Sequence, residues 1–153
     1  MSKTDERGIG AGHDRSDLGF EGAVGDAFSF LVSDFGFHVV RSDATSVRYE
    51  SDKVYLNVYH GRRSYEIDVE VGRLPDLRGV HYRLREVLGA LLGEPARQNA
   101  YYYQSSSPEG VRHCIAIVVG LVRRHYARVL LGGKRSRPSV ALRARPVRAA
   151  VSE

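Results

Sequence analysis

The sequence predicts an α+β fold: an N-terminal helix, a four-stranded antiparallel meander, then two or three helices packed on one face of the sheet. Three observations carry this. Lys53 to Val71, KVYLNVYHGRRSYEIDVEV, consists of two runs of apolar/polar alternation joined by a Gly-Arg turn. Apolar residues at helical spacing precede it and follow it. Strands and helices are therefore segregated along the chain, as in an α+β rather than a βαβ architecture. The sequence contains no internal repeat.

Residues 1–19 have no periodicity and several glycines, and are expected to be disordered. From Phe20 the apolar positions Phe20, Val24, Ala27, Phe28, Leu31 and Phe35 trace one helical face, and Gly36 stands where a left-handed residue closes a helix. Phe37 to Arg41 reads as a first strand, with Ser42 to Ala44 as its turn. In the central hairpin Val54, Leu56 and Val58 share one face, and Tyr55, Asn57 and Tyr59 the other; Tyr65, Ile67, Val69 and Val71 likewise oppose Glu66, Asp68 and Glu70. A two-residue Gly61-Arg62 loop of type II′ pairs Val58 with Tyr65, Leu56 with Ile67 and Val54 with Val69. A two-residue Ser51-Asp52 loop places Val47 and Tyr49 opposite Leu56 and Val54. Slipping by one residue would throw each large apolar side chain into water at a cost of about 1.5 to 3 kcal/mol, so the choice of faces is strongly specified.

Gly72 to Gly79 reads as a loop. A short helix follows with Leu84, Val87, Leu88, Leu91 and Leu92 on one face and Gly93 at its end, and Glu94 to Tyr103 reads as another short helix. Ser107-Pro108-Glu109 is a helix start: an N-cap, a proline at the first position and an acid in the first turn. Val111, Ile115, Val118, Val119, Val122, Tyr126, Val129 and Leu130 line the core side of that helix, which Gly132-Gly133 stops. Residues 133–153 read as a flexible basic tail, so the expected boundaries are 1–19, a single α+β domain over 20–132, and 133–153.

The chain is 153 residues long and 42% hydrophobic, enough for one core. No apolar run approaches bilayer length and the N-terminus is polar, so a cytoplasmic location is expected. A single cysteine, Cys114, excludes an intramolecular disulfide and a multi-Cys zinc site; a small buried hydrophobe is the expected role. The net charge of +5 resides in residues 132–153, which carry six basic groups and one acid. Residues 20–131 carry 14 basic and 13 acidic groups, so any attraction to a polyanion must come from the tail.

No catalytic signature emerges, and neither a cofactor nor a metal is expected. Glu66-x-Asp68-x-Glu70 is the strongest carboxylate set, yet same-face neighbours on a strand lie about 6.5 to 7 Å apart, and Arg48 and Lys53 beside them compete with a cation. A metal-dependent nuclease with an acid-x-Lys strand would need lysine where Glu70 stands. The six histidines show no ligand spacing, and Cys114 points about 100° away from His113 along a helix. Tyr101 to Tyr103 read as packing under a helix crossover rather than as a base-stacking platform.

Two binding readings remain. Arg48, Tyr55, Tyr59, Glu66, Asp68 and Glu70 share the outer sheet face and would engage a protein partner, against the plainer reading of a solvated, self-neutralising surface. Alternatively Lys134, Arg135, Arg137, Arg143, Arg145 and Arg148 in the tail would bind nucleic acid weakly and without sequence preference.

The run GFHVVRSDATSVRYESDKVYLNVYHGRRSYEIDVEVGRL, followed by YRLREVLGALLG and YYYQSSSPEG, resembles small bacterial α+β proteins of the kind found among polymorphic-toxin immunity proteins and other domains of unknown function. The resemblance spans roughly residues 20 to 132. It implies a cytoplasmic binding protein in a conflict or regulatory locus and supplies no site residues. The basic tail departs from the acidic character of many nuclease inhibitors.

Overall fold

The computed structural model describes residues 15–93 and 101–131. The fold is α+β with an antiparallel sheet, as expected. The N-terminal helical segment is α1 (Phe20–Ala27) and α2 (Ser29–Phe35), and the sheet comprises β1 (His38–Asp43), β2 (Ser46–Glu50), β3 (Val54–His60), β4 (Glu66–Arg73), β5 (His81–Arg83) and β6 (Tyr103–Gln104). Helix α3 (Leu84–Leu92) lies between β5 and β6, and α4 (Pro108–His125) and α5 (Ala127–Leu130) follow.

Among the described residues the sheet has six strands where the sequence predicts four: β1 to β5 are neighbours in chain order, and β6 also pairs with β4. The stretch expected to be loop after Gly72 reaches β5, which pairs with β4 at Glu70, Val71 and Gly72. Strand β6 pairs with the same strand at Glu66 and Ile67. Two or three residues are too few to show any period, so neither strand is visible in the hydrophobic pattern. The helix expected over Glu94 to Tyr103 falls mostly outside the described residues, although Tyr103 is in a strand.

Both hairpins keep the predicted faces and change the predicted partners. Leu56 lies opposite Val71 rather than Ile67, and Val58 opposite Val69 rather than Tyr65. In the expected register Val71 would face Asp52 in a turn; here it gains an apolar neighbour. The turn is a longer loop in which the Gly61 amide donates to the Glu66 carbonyl (2.7 Å), the Tyr65 amide donates to the Gly61 carbonyl (3.1 Å), and Tyr65 takes a φ of 55°. Between β2 and β3, Ser51 Oγ accepts the amides of Lys53 (3.2 Å) and Val54 (3.1 Å), which favours a longer turn over the two-residue one. Tyr49 therefore faces Leu56, and Val47 faces Val58.

The outer end of the β3–β4 loop is tied to segments remote in sequence. Arg15 donates to the carbonyls of Gly61 (3.1 Å) and Arg62, and its guanidinium lies 4.0 Å from the centre of the Tyr65 ring. His60, continuing the even-numbered core series of β3, is buried; its Nε2 lies 2.8 Å from the Ser105 carbonyl and its Nδ1 3.2 Å from Arg15. Those partners set the tautomer: Nε2–H donates to the carbonyl, and Nδ1 accepts from Arg15. Burial holds the imidazole pKa below its ordinary value, aided by the Arg15 charge and opposed by the Ser105 carbonyl. Arg15–Leu18 form a 3-10 turn with Leu18 buried, so the folded part starts before Phe20, and the expected boundary after residue 19 is corrected for these residues.

The predicted Phe20–Phe35 helix is broken at Phe28 (φ −96°, ψ 12°). In an unbroken helix Phe28 and Phe30 would point about 200° apart. The break lets Phe28, Phe30 and Leu31 all enter the core, where Phe28 stacks on Phe30 and packs against Tyr49. Tyr126 divides α4 from α5 and is fully buried. The expected ends hold elsewhere: Gly36 closes α2 with a φ of 71°, and Ser107 Oγ accepts the Gly110 amide at the start of α4 (3.1 Å). Buried residues of all five helices join one hydrophobic cluster with Val47, Tyr49, Leu56, Val58, Ile67, Val69 and Val71. The core therefore sits between the helices and the inner face of the sheet. Cys114 is buried and in this cluster. Among the described residues no helix is long and apolar enough to cross a membrane.

Candidate functional site

The register places Arg48, Tyr55, Tyr59, Glu66, Asp68 and Glu70 on the outer face, as strand parity predicts, in rows set by the observed pairing. One row runs Arg48, Asn57, Glu70, Arg83; a second Glu50, Tyr55, Gly72, His81; a third Ser46, Tyr59, Asp68. Two residues of the set are not surface residues. Tyr55 is 4% exposed and Asp68 3%, which corrects the expectation of a uniformly solvated face.

Tyr55 is buried by its neighbours on the sheet. The Arg48 guanidinium lies 3.9 Å from its ring centre, and Arg48 Nε donates to Glu50 Oε1 at 2.9 Å. Directly across the strand pair stands Gly72, where a Cβ would run into the Tyr55 ring. Only glycine leaves the phenol that space. Tyr55 stands outside the main cluster, so this is a small second packing unit on the outer face. Burial raises its pKa, with Asp76 and Glu70 adding to the shift and Arg48 opposing it.

Asp68 lies on β4 between the stretches paired with β5 and β6. Its Oδ1 accepts the amides of Val69 (2.7 Å) and Leu84 (3.3 Å), and the Tyr59 hydroxyl lies 3.5 Å from Oδ2. Burial pushes its pKa up to about 6; the Val69 and Leu84 amides and Arg83 pull it down, and Glu66 adds to the rise. Burial, followed by the Asp68 charge, raises the Tyr59 phenol well above its ordinary value. In this neighbourhood Arg83 Nε and the Tyr126 hydroxyl are buried without a hydrogen-bond partner among the described residues, and Asp68 acts electrostatically on both. At the start of α3 the Arg83 amide donates to Glu86 Oε2 at 2.8 Å.

The remaining groups form a cross-linked polar surface. Ser46 Oγ donates to Asn57 Oδ1 at 2.8 Å, and His81 Nε2 lies 4.0 Å from Glu70 Oε1. Arg48, Glu50, Glu70 and His81 each keep about a quarter to a third of their side-chain surface exposed. Among the described residues no group of three His, Cys, Asp or Glu side chains is placed to hold a metal. Asp68 is turned onto backbone amides instead of joining Glu66 and Glu70.

Arg83 and Tyr126 belong to the Asp68 neighbourhood yet have no signal in the sequence, because long-range pairing brings them there. His60 had a signal in its even position on β3. Tyr101 and Tyr103 are half-buried and pack against the core, while Tyr102 is exposed. The tail residues Lys134, Arg135, Arg137, Arg143, Arg145 and Arg148 lie outside the described residues. No protein-family model matches the chain, and neither a curated protein nor a solved structure matches it.

Proposed function

We propose that the chain is a non-enzymatic, cytoplasmic protein-binding module of the immunity-like kind that presents the outer face of its sheet. The observation that supports this most is the Arg48–Tyr55 pair. Glu50 on one side and Gly72 across the strand pair hold it in place. Arginine and tyrosine concentrate binding energy at interfaces, and a side chain already fixed loses less entropy on association. Arg48, Tyr59, Glu66 and Glu70 supply the accessible contacts; Tyr55 and Asp68 act beneath them as supports.

The test is capture of a protein partner from the native host by full-length chain, compared with Arg48→Glu and Glu70→Lys variants that retain their circular-dichroism spectrum. Loss of the same partner by both variants supports the reading. Undiminished capture by both refutes the face as the interface.

The second reading is nucleic-acid binding through the tail. It is favoured by continuity of charge: Arg123, Arg124 and Arg128 are exposed at the end of the helical region, and Lys134 and Arg135 follow within a few residues. A chain ending at Gly133 should then lose low-salt DNA or RNA binding. Equal binding by the truncated and full-length chains overturns that reading.

A further inference from the structure

Among the described residues the first strand is one edge of the sheet. Among the described residues β1 pairs only with β2, and its six residues are exposed except for the half-buried Asp43. Edge strands carry unsatisfied backbone donors and acceptors. This one also carries apolar surface: Val39 is 48% exposed, Val40 45%, and Val32 on the adjacent α2 48%. Opposite Tyr49, Val39 is on the inner face, the side on which α2 packs.

We propose that β1 pairs antiparallel with β1 of a second copy of this chain, making a homodimer with one continuous sheet. The strand is complementary to itself in charge and in face. The register that engages all six residues of both strands puts His38 against Asp43 of the second copy, Val39 against Ser42, and Val40 against Arg41. The β1–β2 pairing assigns His38, Arg41 and Asp43 to the outer face and Val39 and Ser42 to the inner face, with Val40 as the extra residue of a bulge. Thus the His38–Asp43 pairs join two outer residues and the Val39–Ser42 pairs two inner ones. A shift of one residue in either direction sets inner Val39 against outer Arg41 or Asp43, and strand pairing does not tolerate such a mismatch. Each end of the paired strands then brings an imidazole to a carboxylate.

A two-fold axis normal to the sheet keeps both sets of helices on one side, so the two α2 helices approach each other. Val32 and Val39 of each copy then lose water together at an isologous interface. The bulge at Val40 is also accommodated, because the axis passes between Val40 and Arg41 and sets each copy's bulge residue opposite Arg41 of the other.

Sedimentation equilibrium of the full-length chain at micromolar concentration should give a dimer. Val39→Lys and Val32→Glu should each weaken self-association about tenfold or more, since an inward charge at a sheet edge opposes pairing. Leu92→Glu, at an exposed apolar position on α3, should leave it unchanged. A cross-link tests the register independently of those variants. In a Cys114→Ala background, Val39→Cys with Ser42→Cys should oxidise to a covalent dimer, whereas Val39→Cys with Arg41→Cys should not. A monomeric wild-type chain, a dimer insensitive to both charge variants, or equal cross-linking of the two cysteine pairs would each overturn the proposal. A wild-type chain that remains monomeric but takes a strand from another protein would overturn it as well.

Discussion

The Asp68 carboxylate accepts the backbone amide of Leu84 at 3.3 Å, so a residue of the central sheet satisfies a donor in the first turn of α3. Negative charge at that place interacts favourably with the helix dipole, but the group is almost completely removed from water. Burial dominates, and the pKa rises from 3.8 to about 6.

A raised pKa means that the folded protein holds this proton more tightly than the unfolded chain. The Asp68 contribution to stability is thus fully present below about pH 4 and declines as pH rises to about 6. Above that it is flat, with a total change of about 3 kcal/mol. Asp68→Asn keeps an acceptor for Leu84 and has no charge to bury. Urea unfolding from pH 4 to 7 should show the variant gaining on wild type across this window, and a constant difference would show that Asp68 does not titrate there.

Tyr55→Ala should destabilise by about 2 to 4 kcal/mol, close to the cost of Leu56→Ala on the opposite face, because both side chains are buried. Parity alone leads to the contrary expectation of a small loss at Tyr55. Chemical denaturation of the two variants decides between them.

Gly72→Ala should cost about 1 to 3 kcal/mol, since its methyl group meets the Tyr55 ring. Combined with Tyr55→Ala, most of that cost should vanish, because the obstructing ring is gone. Additive losses in the double variant would show that the glycine serves some need other than room for the phenol.

How much of this was legible in sequence follows from which interactions are local. Alternation placed Val54, Leu56, Val58, Ile67, Val69 and Val71 on the correct face, since a period of two depends only on neighbours along the strand. The pairing partners were not legible. They depend on how the turns close, and Arg15 secures the β3–β4 loop from 46 positions away in the chain. Burial of Tyr55 required a glycine on the next strand and an arginine on the previous one. Burial of Asp68 required edge strands too short to show a period. The candidate face was thus recognisable as a face, but not which of its residues support and which are presented.

Removal of residues 1–18 should lower stability by about 2 kcal/mol or more, because it deletes the buried Leu18 and the Arg15 contacts to the β3–β4 loop. Arg15→Ala in the full-length chain should reproduce part of the loss. Hydrogen exchange should then accelerate at Gly61 and Tyr65, whose amides close the loop. Unchanged exchange in the variant would mean that the loop holds its shape without the guanidinium.

Charge reversal separates the supporting residues from the presented ones. Glu70 keeps about a quarter of its side-chain surface in water and lies in a row with Asn57 and Arg83. Glu70→Lys sets an ammonium beside Arg83 and His81, a repulsion of about 1 kcal/mol in a partly solvated site, and the chain should remain folded. Asp68→Lys buries an ammonium where the Val69 and Leu84 amides point, opposed by the dipole of α3. An uncompensated buried charge costs about 3 to 5 kcal/mol, a large share of the stability of a domain this size. Thermal melts should show a cooperative transition within a few degrees of wild type for Glu70→Lys, and a loss of cooperative unfolding for Asp68→Lys. Equal tolerance of both would place Asp68 at the surface and return it to the direct contacts of the face.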